Sequence, residues 1–336
     1  MPLGSNKAAL FAASAQAGGA RGLFAGGDDD ASEDVIDYIN IASTGNATDF
    51  GNLSSGRQYP CGFSNGSSDR GVSAGQHAPA SASPAADNDV IQYVTISSAG
   101  NATDFGNLTH EKYSAGAASN LADDRGVFMS GNYTSPGQRT SDIDYITISS
   151  AGNGTDFGDY SPLVTNLTAT SNGSNDRAVG IGGFLDPADN TNAISYLTIT
   201  STGNTSDFGD LTGKHRGMQA CSNSTSERGI MAGGPRGTYD GQPSPGDPVS
   251  NVIEYITINS TGNATDFGDL TETWTAMAGV SSGTGDRGVF GGGASNSNNP
   301  TNQMEYVTIS SAGNSTDFGD LSVARKYGNT VGSNAD

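Results

Sequence analysis

Acid–base, nucleophilic or metal chemistry in this 336-residue chain would have to come from three histidines, two cysteines and a large set of aspartates. His77, His110 and His215 lie far from one another in sequence. A general base or a metal ligand needs convergent partners, so each histidine is expected to be a solvated loop residue. Turns rich in aspartate and asparagine could offer calcium its carboxylate, amide and carbonyl oxygens. The recurring turn Gly-Asn-x-Thr-Asp, however, lacks the dense carboxylate cluster of a calcium loop. No catalytic residue, metal or cofactor is expected.

The aspartates instead belong to a unit of roughly fifty residues written six times. One recurs within T-D-F-G or S-D-F-G, at Asp49, Asp104, Asp156, Asp207, Asp266 and Asp317. Eleven residues before each stands a tyrosine: Tyr38, Tyr93, Tyr145, Tyr196, Tyr255 and Tyr306. An arginine follows 21 residues after the aspartate, at Arg70, Arg125, Arg177, Arg228 and Arg287, and Arg21 serves the remaining copy. Residues present in every copy are expected to be structural, with Asp286 beside Arg287 tethering a turn to its neighbour. From arginine to the next tyrosine the spacing varies from 17 to 27 residues, so all length variation sits in one loop per unit.

Each unit holds four short segments. One reads R-G-[VIL]-x-x-[GS]-G; the next, such as Val252 to Ile258, alternates apolar and polar residues with the period of a half-buried strand. A Gly-Asn turn and a short T-D-F-G segment follow, and then a run of small residues such as Ser114 to Ser119. No sustained helical stripe appears. Four antiparallel strands repeated six times are best closed into a ring, where radial repetition leaves only short, protected edges. The fold expected is all-β: a six-bladed β-propeller of four-stranded blades, with small residues crowding the axis and Tyr and Phe wedged between blades.

Gly26-Gly27, Gly182-Gly183, Gly233-Gly234 and Gly292-Gly293, followed in order by the repeat tyrosines and arginines, carry a resemblance to kelch propellers. The chain departs from that pattern with Phe50, Phe105, Phe157, Phe208, Phe267 and Phe318 in place of tryptophan, and with single glycines at Gly75-Gln76 and Ser130-Gly131. The resemblance implies fold and little about activity, since propellers host unrelated functions. Copper oxidases on kelch-like scaffolds need Cys, Tyr and His together, which Cys61 and Cys221 do not supply. These cysteines fall three repeats apart, on opposite sides of a six-bladed ring, and are expected to be buried free thiols.

The two ends of the chain compete for one inner-strand position. Ser322 to Tyr327 matches Ser54 to Tyr59 in register, so the C-terminal segment is expected to join the N-terminal blade. Residues 21–336 then form the propeller. Residues 1–20 become an N-terminal arm or spare inner strand, expected to dock on a partner such as a neighbouring subunit.

A net charge of −20 with only 15 Lys and Arg argues against nucleic-acid binding, which needs a basic footprint, and disfavours an anionic membrane surface. No run approaches the ~20 apolar residues of a membrane-spanning helix, and no convincing cleaved leader is seen. Each turn spells N-x-[ST], as at Asn46 and Asn263, which is ascribed to turn preference over glycosylation.

All six variable loops emerge on one face, and loops on a rigid scaffold are where function concentrates. The longest carries Arg236 and Tyr239, residue types enriched at interface hot spots, and these are the candidate binding residues. The uniform motif Tyr-Ile-Thr-Ile-Ser-Ser-x-Gly-Asn-x-Thr-Asp-Phe-Gly also resembles kelch-like proteins of marine bacteriophages, particularly cyanophages. That resemblance implies a non-enzymatic virion structural protein: a fibre, a decoration, or a neck or tail attachment. It would be mounted on other virion proteins by its arm, with the variable face meeting a host-surface glycan or receptor. The alternatives are a secreted or cell-surface glycan-binding adhesin and, third, a propeller enzyme.

Overall fold

The computed structural model describes residues 20–29, 33–77, 88–133, 138–185, 189–224, 227–237 and 248–334. Six antiparallel sheets are arranged as the blades of a β-propeller. In the second blade the strands run, from the axis outward, Cys61–Ser64, Arg70–Ala74, Val90–Thr95 and Thr103–Asn107. The inner strand of the first blade is the C-terminal Asn329–Ser333, paired antiparallel with Arg21–Ala25. Apart from Ala20, whose carbonyl accepts from the Ile41 amide at 2.9 Å, the expected arm lies outside the described residues. Among the described residues no helix is long and apolar enough to cross a membrane.

The repeated side chains hold one blade to the next. Each repeat arginine stacks over the tyrosine of its own blade, with its Cζ 4.2 to 4.7 Å from the ring centroid. Its Nη1 also donates to a backbone carbonyl of the next blade, as Arg70 does to Ile148 at 2.9 Å and Arg287 to Ile41 at 3.1 Å. Each tyrosine meets the buried phenylalanine of its blade edge-on, at centroid distances of 6.0 to 6.2 Å. The phenylalanines sit in cores shared between neighbours; Phe105, for instance, packs with Phe128 and Ile146 of the third blade.

The turn asparagines have an equally definite use. Asn46, Asn101, Asn153, Asn204, Asn263 and Asn314 each accept, through Oδ1, an outer-strand amide of the preceding blade at 3.0 to 3.2 Å. The glycine of T-D-F-G backs onto that same turn. A Cβ on Gly51 would lie 2.4 Å from the carbonyl oxygen of Gly100, and Gly51 has φ +147°, so close approach and backbone together require glycine there.

The aspartate before the repeat arginine adds a second clip. Asp286 accepts from the Ser310 amide at 3.0 Å and the Asn223 amide group of the preceding blade at 3.0 Å, tying two blades at one carboxylate. Asp69, Asp124 and Asp176 do the same. The T-D-F-G aspartates, by contrast, are exposed on the outermost strands.

Candidate functional site

Seven residues after each repeat phenylalanine stand Arg57, Lys112, Val164, His215, Trp274 and Arg325. Immediately before each tyrosine stand Asp37, Gln92, Asp144, Ser195, Glu254 and Glu305, all buried. A register shift falls just ahead of each of these six, between Ile36 and Asp37 and at every equivalent point. Such a bulge re-aims a side chain, and here it accompanies residues buried at the seam between blades.

The seams differ in chemistry. Lys112 Nζ lies 2.6 Å from Asp144 Oδ2 with both side chains fully buried. Arg325 bonds Asp37, which also accepts from Ser322 Oγ at 2.5 Å. Trp274 donates its indole N–H to Glu305 at 3.0 Å. Where the third-strand residue is Ser195, its hydroxyl donates to the Ser161 carbonyl at 2.6 Å and the opposite position is the aliphatic Val164. His215 is fully buried, not the solvated residue its sequence context predicts, because it occupies the position that holds Arg57 and Lys112 elsewhere. Burial first, and then the charge of Arg236, push its imidazole down to about 4. Glu254 across the seam is pushed above the ordinary carboxylate range, chiefly by burial.

Two residues further on, the chain turns inward around the axis. Tyr59, Ser114, Asn166, Gly217, Ala276 and Tyr327 all adopt φ between +53° and +58°. Each donates its amide to the carbonyl of its counterpart in the preceding blade, at 2.9 to 3.2 Å, and the six bonds close into a ring. At the other end of the inner strands, the hydroxyls of Ser64, Ser119, Ser171, Ser222 and Ser333 each donate to the preceding blade's serine carbonyl at 2.6 to 2.8 Å. Small side chains are needed here because the strands converge.

The amide ring encircles a cavity of about 360 Å³ to which all six blades contribute. That is the small end of the ~300–1,000 Å³ typical of small-molecule sites. It lies on the variable-loop face, and Pro235 of the longest loop lines it. Among the described residues no acidic side chain lines it, and the one charged residue that does, Arg216, donates Nη1 to Asn190 at 2.7 Å. Tyr59 and Tyr327 stack on one side of the mouth at a centroid distance of 4.2 Å, with Tyr113 at 6.2 Å and His77 at 6.1 Å from Tyr59. Cys61 also lines the cavity. Its thiol is pushed up to about 12, mainly by burial, and it is a free cysteine, as is the buried Cys221.

Arg236 is exposed and is not among the cavity-lining residues; it lies over Gly213, while Tyr239 lies outside the described residues. Among the described residues no group of three or more His, Cys, Asp and Glu could hold a metal ion. The tyrosine pair and the seam residues both escape motif reading, and lining up the six copies position by position would have found them. No protein-family model matches the chain, and no curated protein matches it in sequence.

Proposed function

We propose that the chain is a non-enzymatic binding or scaffold protein that presents its variable-loop face to a partner as a structural component of a virus particle. The division of labour between fixed and variable residues carries this reading. The repeated arginines, tyrosines, phenylalanines and turn asparagines are engaged in joining blades. Loop length and axial side chains, by contrast, vary on the face that holds the cavity. The Cys61 thiol, raised by burial, is a poor nucleophile at neutral pH, which favours binding over catalysis.

Attachment through residues 1–20 to other virion proteins, and contact of the variable-loop face with a host glycan or receptor, complete the proposal. It draws on the resemblance of the repeat motif to kelch-like phage proteins. Peptide mass spectrometry on density-purified virus particles and on the host envelope fraction of one culture tests it. Enrichment in particles, at a copy number that separates capsid decoration from tail attachment, is the expected result. Recovery only from the envelope would overturn the virion assignment in favour of a cell-surface adhesin.

A further inference from the structure

We infer that the axial cavity binds a short neutral saccharide, whose ring packs on the Tyr59–Tyr327 side of the mouth and whose hydroxyls bond the amide and threonine side chains of the wall. The inference rests on the proposed binding role of this face and adds its ligand class.

Backbone conformation supplies the first observation. The ring of six left-handed residues accepts Gly217 and Ala276, so the ring itself makes no demand for bulk. Tyr59 and Tyr327 nevertheless occupy adjacent places in it with φ +55° and +58°, where a bulky residue is strained. Strain held at a cavity mouth points to a use for the side chains, and both line the cavity.

Charge is the second. The chain carries −20 overall, yet among the described residues the lining has no carboxylate to attract a cation. The Arg216 guanidinium in the lining is already bonded to Asn190 and lies 5.1 Å from the Phe184 ring centroid. The remaining polar lining consists of uncharged groups, Gln219, Asn166, Thr168, Thr330 and Asn329 among them. Asn329 is 7% exposed, and its Nδ2 has no hydrogen-bond partner. A purely apolar ligand would leave the Asn329 amide unpaired, which is costly. A saccharide matches both halves of the site, with a C–H face for the phenol rings and hydroxyls for the amides.

Titration calorimetry of the purified full chain tests this. The probes are short oligosaccharides of glucose, galactose, mannose and N-acetylglucosamine, together with counterparts bearing uronic or sialic acid. A neutral series should bind with an affinity insensitive to salt. Tyr327→Phe should retain it, and Tyr327→Ala should weaken it by roughly tenfold or more, as loss of an aromatic anchor does. Gln219→Ala, on another part of the wall, provides an independent test should Tyr327→Ala fail to fold. Absence of binding by every neutral series, binding of acidic members alone, or binding that survives whichever of Tyr327→Ala and Gln219→Ala folds would overturn the inference. Because the assay uses the chain alone, its failure leaves the particle assignment standing, and a negative particle result leaves the cavity's ligand standing.

Discussion

Replacing Lys112 by Met would leave the Asp144 carboxylate at the seam of the second and third blades with no cation. Both side chains are wholly buried, with Nζ 2.6 Å from Oδ2 and also donating to the Asp142 carbonyl at 3.2 Å. Thr109 Oγ1 would remain as a donor to Asp144. Breaking a buried pair from one side costs about 3–5 kcal/mol, because the surviving charge is desolvated without compensation. Asp144→Ser should cost a similar amount for the mirror reason. The double variant Lys112→Met/Asp144→Ser imitates the neutral seam next door, where Ser195 faces Val164. Replacing both members of a buried pair is often near neutral, so the double variant should lie within about 2 kcal/mol of the wild type. The coupling energy would then be about 4 kcal/mol or more. Urea unfolding of the four proteins, with midpoints compared at unchanged slope, reads it. Single losses below about 1 kcal/mol, or a double loss equal to the sum of the singles, would refute the account of the seam.

Gly51→Ala should destabilise by about 2 kcal/mol or more, since its Cβ would press on the Gly100 carbonyl oxygen from a backbone at φ +147°. Gly100→Ala, on the other side of the same contact, meets nothing within 4 Å and should change stability by less than about 1 kcal/mol, so similar urea midpoints for the two variants would refute the packing argument. His215 titrates at about 4 in the folded chain and near 6.5 when unfolded, so between those values the unfolded state binds more protons and stability falls with falling pH. The full difference amounts to about 3 kcal/mol. Glu254, raised by burial, acts in the opposite sense, with stability declining as pH rises above 4.5. His215→Gln removes only the first effect, and unfolding measured near pH 7 and near pH 4 should show the wild type losing about 3 kcal/mol more than the variant; equal losses would refute it.

The propeller was legible because its signal is repeated. Six tyrosines at one fixed distance from six phenylalanines cannot drift without breaking six equivalent edge contacts, and the inner strands read as Gly, Ala and Ser because the axis leaves no room for more. Asp286 was legible as a tether for the same reason. The seams were not, because their residues vary from copy to copy: Lys112, Val164 and His215 share neither charge nor shape, and only their common register joins them. His215 was misplaced as a solvated residue on that account. The cavity mouth was hidden differently. Left-handed backbone at Tyr59 and Tyr327 is set by the closure of six amide bonds around the axis, a constraint that no local turn signal in either segment announces.

The contrast between uniform and variable positions has a physical logic. Blades this alike could exchange places with little loss from the Arg–Tyr, Phe or Asn contacts, which are the same at every seam. The buried pairs are what such an exchange would disturb. Setting the third strand of the first blade against the outer segment of the third would bury Asp37 opposite Val164, a carboxylate deprived of its guanidinium, while Arg325 faced whatever replaced Asp37. Each such mismatch carries the several kcal/mol of an uncompensated buried charge, comparable to the whole net stability of an ordinary domain when two occur together. The repeated clips therefore suit any pair of blades, whereas the buried pairs penalise a mismatched one. With blade order held inside the ring, the cavity face is left to vary in loop length and axial side chain without unsettling the fold beneath it.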